Sequence, residues 1–198
     1  MPHDVEGAPF WNDRYLRGED GWELGTPAPP LARILKDSPP SVGRAAVPGC
    51  GRGHDVAAFL QHGFDAVGFD FSDRAVAEAA RLGRPVLQRD IFSLDREFSK
   101  SFDVVWEYTC YCAIHPSRRR DYIAILAEIL KPGGLLIGLF YPLKPGTEGP
   151  PFPVDRSELE TLLVPDFHIE SAAIPQDSVD RRKGLELLLH ARRLSGPQ

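Results

Sequence analysis

The 198 residues suffice for one domain, which at this length buries roughly 70% of the surface its unfolded chain exposes. With 28 acidic against 23 basic residues the net charge is −5, while 42% hydrophobic and 26% charged residues are ordinary for a globular chain. These numbers set aside nucleic acid as an obligatory partner and exclude the low-complexity classes, so a small molecule is the expected partner.

The N-terminal MPHDVEGAPF has neither a basic flank nor an apolar run, and no later stretch approaches the ~20 apolar residues that span a bilayer. No membrane role and a cytoplasmic location are expected. The cysteines Cys50, Cys110 and Cys112 match neither a disulfide framework nor zinc-ligand spacing, so reduced thiols and no metal site are expected.

In chain order, residues 1–40 read as an N-terminal arm, with an aromatic and charged segment from Phe10, a TPAPP stretch and an amphipathic LARILK helix. Residues 41–198 then alternate strand and helix, which predicts a parallel sheet covered by helices on both faces. Arg44 to Val47 is a short strand, Asp55 to His62 a helix, and Ala66 to Phe69 a second strand. Ser72 is the N-cap of a helix that stops at Gly83. Pro85 to Gln88 and Phe102 to Trp106 are further strands. A helix begins at Pro116-Ser117, with Tyr122, Ile125, Leu126, Ile129 and Leu130 on its apolar stripe, and Pro132-Gly133-Gly134 breaks it. LLIGLFY is a central strand, apolar on both faces. DRSELETLL is a helix that Asp155 and Ser157 serve at its first turn. FHIESAAI and LELLLHARRL close the chain; too little lies between them for a crossover helix, so they form an antiparallel pair. The expected architecture is α/β, a mostly parallel seven-stranded Rossmann-like sheet ending in an antiparallel hairpin, with a helical lid.

Between the first strand and helix stands Val47-Pro48-Gly49-Cys50-Gly51-Arg52-Gly53-His54-Asp55, where glycines allow positive φ and close backbone approach to a ligand. Asp70 closes the second strand 21 positions after Gly49, where an acid accepts the paired hydroxyls of a ribose. The plain alternative is a turn and a helix cap. Dinucleotide-binding folds place a third glycine where this chain has His54, and they repeat their first half, which this chain does not.

The GxGxG form, with Arg89-Asp90-Ile91-Phe92 downstream and Leu-Lys-Pro-Gly-Gly before a strand, resembles class I S-adenosylmethionine-dependent methyltransferases. That resemblance implies that Asp70 holds the ribose, Asp90 the adenine amino group, and Ile91 or Phe92 covers the base. It assigns Pro48, Gly49, Cys50 and Gly51, with Phe71 and Glu107, to the cofactor side, Cys50 as a small filler. The blocks Phe10-Trp11-Asn12-Asp13-Arg14-Tyr15, Gly21-Trp22-Glu23-Leu24-Gly25 and Pro27-x-Pro29, then VPGCGRGHDV, FDVVWEYTCYCAIHP, LKPGG and GPPFPVDRSEL in the same order, resemble the thiopurine S-methyltransferase family with its thiol and halide methyltransferase relatives.

By that resemblance the arm folds over S-adenosylmethionine, with Trp22 and Trp11 against it. Tyr108 is expected to orient the acceptor through its hydroxyl, and Arg118 or Arg119 to meet an anionic acceptor. His115 reads as a turn residue. Phe152 departs from the tyrosine of halide-methylating relatives. The implied activity is methyl transfer to a thiol or other sulfur compound. The alternatives are halide, selenium or tellurium acceptors, a non-catalytic cofactor-binding module, and an NAD-dependent oxidoreductase, which the glycine spacing disfavours. The sequence leaves the oligomeric state open.

Overall fold

A computed structural model describes residues 7–146 and 148–195. The reading of the first six residues as lacking a leader lies outside them. Seven strands carry the fold: β1 Arg44–Pro48, β2 Asp65–Asp70, β3 Val86–Gln88, β4 Phe102–Tyr108, β5 Leu130–Phe140, β6 Phe167–Ala173 and β7 Leu187–Arg193. They lie in the order β3-β2-β1-β4-β5-β7-β6. The first five run parallel, and β7 is antiparallel to both β5 and β6, as their spacing in the chain predicts.

Helices α1 Ala8–Arg17 and α2 Pro29–Asp37 form the arm, followed by α3 His54–Gln61, α4 Asp73–Arg81, α5 Leu94–Phe98, α6 Arg119–Ile129 and α7 Arg156–Leu163. Side chains of a strand point alternately to opposite faces. Val104 and Trp106 of β4 accordingly pack with Leu31, Leu35, Val56 and Phe59 of α2 and α3. Val105 packs on the other side with Tyr122, Leu126 and Leu159 of α6 and α7. The predicted caps form, since Ser72 accepts the Ala75 N–H and Asp155 the Glu158 N–H.

Two local expectations are corrected. Helix α6 ends at Ile129, so Leu130 opens β5 instead of closing the helical stripe. Pro132-Gly133-Gly134 is a bulge inside that strand, because Phe102 pairs Leu130 while Val104 already pairs Leu135. Proline has no N–H for the ladder, and Gly133 takes φ +75°, so the extra residues loop outward. The short α5 has no counterpart in the sequence reading; of its five residues only Leu94 is buried, too little for a periodic signal. No helix among the described residues is long and apolar enough to cross a membrane.

In this strand order the chain winds outward from β1 through β2 to β3, then returns to place β4 on the other side of β1. Loops leaving the carboxyl ends of β1 and β4 therefore diverge and leave a crevice, the place where open α/β sheets bind ligands.

Candidate active site

After β1 the chain reverses at Gly49, which takes φ +59°. A side chain there would be strained by its backbone and would place Cβ 2.6 Å from Cys110 Sγ. The bend is thus pressed against the segment that leaves β4. Two residues on, the Gly51 N–H donates to Asp70 Oδ2 at 2.9 Å, while the Ser72 N–H donates to Oδ1 at 2.9 Å. Burial pushes the Asp70 carboxyl above its ordinary pKa, and the backbone donors of Ser72, Gly51 and Phe71 oppose that rise. Asp70 is held at the mouth of the crevice from both sides.

A cleft of about 390 Å³ opens there. From the sheet side Gly49, Asp70, Phe71, Asp90, Ile91 and Phe92 line it. Asp90 accepts the Phe92 N–H at 2.9 Å, which turns Ile91 and Phe92 into position. From the arm Trp11, Tyr15 and Trp22 line it. Trp22 meets Tyr15 and Trp11 edge to face, with ring centroids 5.5 and 5.4 Å apart, and its Nε1–H donates to the Tyr15 hydroxyl at 3.4 Å. The arm is pinned by Ser72 Oγ, which donates to Asn12 Oδ1 at 2.6 Å, and by Arg52, 2.6 Å from Asp20 and 3.3 Å from Glu23.

Past Thr109 the wall is formed by Cys112, Ile114, His115, Tyr141, Pro150 and Pro151. Thr109 itself has φ +58°, unusual for a β-branched residue, at the point where the chain turns out of β4. Arg118 also lines the cleft, its guanidinium carbon 3.5 Å from the centroid of the Phe92 ring. His115 accepts the Ser117 N–H as a turn residue does, yet it also faces the cleft.

Several residues singled out in the sequence do not reach the main cleft. Pro48 is buried at the end of β1, pairing with Phe69. Cys50 and Gly51 line a smaller adjoining depression with Tyr108, and Cys50 packs against Gly68 as a filler. Glu107 is fully buried and accepts the Tyr111 N–H at 2.6 Å, so it shapes the loop beyond β4 rather than facing a ligand. Burial pushes its pKa up to about 7 against the opposing pull of the Tyr111 and Cys110 N–H groups and Arg119. The Tyr108 hydroxyl is engaged internally, accepting from Arg182 and donating to Glu186 at 3.2 Å. Arg119 is buried against Glu158 at 3.2 Å and the Pro153 carbonyl at 2.8 Å, which removes it as an acceptor contact.

Tyr141, Cys112, Pro150, Arg181 and Arg182 line the cleft without having been singled out for it. Tyr141 had a signal, since it directly follows an apolar parallel strand at the sheet edge that binds ligands. Arg181 and Arg182 had none, because a run of cations before a strand reads as a solvated surface.

The residues fit an adenosyl cofactor: a bend that tolerates no Cβ, an acid held between two elements beside it, and a second acid introducing an apolar pair. This sheet order, closed by the antiparallel β6 and β7, together with that crevice, defines a class I S-adenosylmethionine-dependent methyltransferase. Residues 7–188 match the family model described as thiopurine S-methyltransferase, and the chain belongs to that family. It is 35% identical over 185 residues to probable thiol methyltransferase 2 of Arabidopsis thaliana, covering 90% of this chain and 82% of that protein. Thiocyanate methyltransferase 1 of the same plant is 36% identical, with 84% and 77% covered. Among solved structures, the 1,6-didemethyltoxoflavin-N1-methyltransferase of Burkholderia thailandensis, with bound 1,6-didemethyltoxoflavin and S-adenosylhomocysteine, shares the fold at a TM-score of 0.75 and 21% identity, with 98% of this chain and 91% of that one covered.

Proposed function

We propose that this methyltransferase acts on a small sulfur nucleophile, a thiol or related sulfur anion. The observation that carries the reading is one continuous cleft, joining the Asp70 and Asp90 end to a wall of Cys112, Ile114, Tyr141 and Pro150 beneath the arm. The names of the thiol and thiocyanate methyltransferase relatives support a sulfur acceptor.

When bound, S-adenosylmethionine supplies an electrophilic methyl group on a sulfonium. Asp70 accepts the ribose hydroxyls, Asp90 accepts from the adenine amino group, and Ile91 and Phe92 cover the base. Trp22 and Trp11 exclude water and turn aromatic surface toward the positive centre. Arg118 attracts an anionic acceptor. A thiol is partly ionised near neutral pH and strongly nucleophilic, so holding it in line and desolvated suffices without a strong base. Tyr108 has no acceptor-orienting role in this scheme, because its hydroxyl is already engaged by Arg182 and Glu186. Phe152 brings no hydroxyl to the wall and packs its ring 5.5 Å from that of His115, which disfavours halides. The three free thiols suit a reducing compartment, and we place the protein in the cytoplasm.

The test is formation of S-adenosylhomocysteine by the purified protein with a panel of thiols, thiopurines, sulfide, thiocyanate, selenide and iodide. Turnover fastest with a sulfur compound supports the proposal. Cofactor binding without turnover on any of them would leave a binding module, and a preference for iodide would replace sulfur by halide.

A further inference from the structure

Arg182 is a buried cation in the segment between β6 and β7, 3% exposed, and its whole environment is prepared for it. Nη1 donates to the Tyr108 hydroxyl, Glu186 Oε1 lies 3.8 Å away on a side chain 1% exposed, and the guanidinium carbon sits 5.1 and 4.9 Å from the Tyr108 and Tyr141 ring centroids. Those partners lie on β4, just past β5 and just before β7, in the body of the fold and not in the arm. A second nitrogen, Nη2, donates to the backbone carbonyl of Trp22 at 3.0 Å. A guanidinium anchored through Nη1 and flanked by two rings thus directs an Nη2 donor at the arm.

Ser72 holds α1 through Asn12, while the other ties to the Asp20–Gly25 end of the arm are of a different kind. Arg52 reaches Asp20 and Glu23 with a side chain 21% exposed, so water and salt compete for these contacts. Arg181 meets the Glu23 carbonyl at 3.5 Å on the exposed side. Arg182, by contrast, is a buried side chain that makes a part-buried hydrogen bond to Trp22, a residue of the cleft wall. Lifting the Gly21–Gly25 segment would break that hydrogen bond, along with the solvent-accessible contacts of Arg52 and Arg181 to Glu23, while leaving Arg182 paired with Tyr108 and Glu186, which is what a reversible closure requires.

We infer that Arg182 is a positioning residue that clasps the Gly21–Gly25 segment over the cofactor through the Trp22 carbonyl, and so sets how fast the spent cofactor leaves. The inference rests on reading the cleft as the cofactor site. It commits Tyr108 and Glu186 to supporting the clasp.

The experiment measures S-adenosylhomocysteine dissociation by tryptophan fluorescence, with KM for S-adenosylmethionine, KM for the acceptor and kcat, in wild type, Arg182→Gln, Arg182→Lys and Tyr108→Phe. Arg182→Gln should release S-adenosylhomocysteine about tenfold faster and raise KM for the cofactor by a similar factor, with kcat changed less than threefold. Lysine, which keeps the charge but has one nitrogen and cannot bridge Tyr108 and Trp22 as a fork does, should restore part of the effect, and Tyr108→Phe should fall between. Hydrogen exchange at residues 19–25 should quicken in both Arg182 variants, and Arg182→Lys keeps the test available if the glutamine variant fails to fold. An unchanged release rate with only a lower Tm, or a rise confined to the acceptor KM, would overturn the clasp. Wild-type protein that fails to bind S-adenosylhomocysteine would instead undercut the cofactor reading.

Discussion

Replacing Glu107 by glutamine should change how stability depends on pH. Its carboxyl is fully buried, with Oε1 accepting the Tyr111 N–H and Oε2 without a hydrogen-bond partner among the described residues. Desolvation raises its pKa from the ordinary 4.5 to about 7. A tenfold change in proton affinity corresponds to about 1.4 kcal/mol, so the rise amounts to roughly 3 kcal/mol. Because the folded value lies above the unfolded one, the contribution is fully present below pH 4.5 and is lost as pH climbs through about 7. Glutamine cannot ionise, and its unpaired amide imposes a pH-independent cost that cancels in the comparison. Urea unfolding of both proteins from pH 4 to pH 8 should show Glu107→Gln gaining roughly 3 kcal/mol on wild type across that range. Parallel stability curves would refute the argument that burial dominates at this carboxyl.

Asp70→Asn turns an NH2 group toward one of two backbone donors and removes the charge, so S-adenosylhomocysteine affinity measured by calorimetry should fall at least about tenfold, roughly 1.4 kcal/mol. Gly49→Ala combines the left-handed backbone penalty with a Cβ 2.6 Å from Cys110 Sγ; a loss of about 2–4 kcal/mol in chemical denaturation is expected, partly relieved by Cys110→Gly. Asp55→Ala strips an acceptor from the N–H of Ala28 and from Trp106 Nε1, each at 2.8 Å, and should cost about 2–5 kcal/mol in the same assay. Ser72→Ala should lose about 1 kcal/mol for the cap and, because Ser72 also holds Asn12, weaken cofactor binding in a titration.

What was legible in the sequence is local. Alternation of apolar runs with capped amphipathic segments identified the strands and most helices, because Ser72, Asp155 and Gly83 act within a turn of their own position. The glycine bend and Asp70 were legible for the same reason, both lying at ends of predictable strands. Glu107, Tyr108 and Arg119 could not be assigned from the chain alone. Whether a polar side chain at a strand end faces a ligand or the interior depends on what packs behind it; here Arg182 and Glu158 come from elsewhere in the fold, and the turn after β4 brings the Tyr111 N–H back onto Glu107. Arg182 makes the point most sharply, since it stands 160 positions from Trp22 yet hydrogen-bonds to it. Composition and periodicity determined which elements form; only the folding of distant segments onto one sheet edge decided which side chains share the cleft.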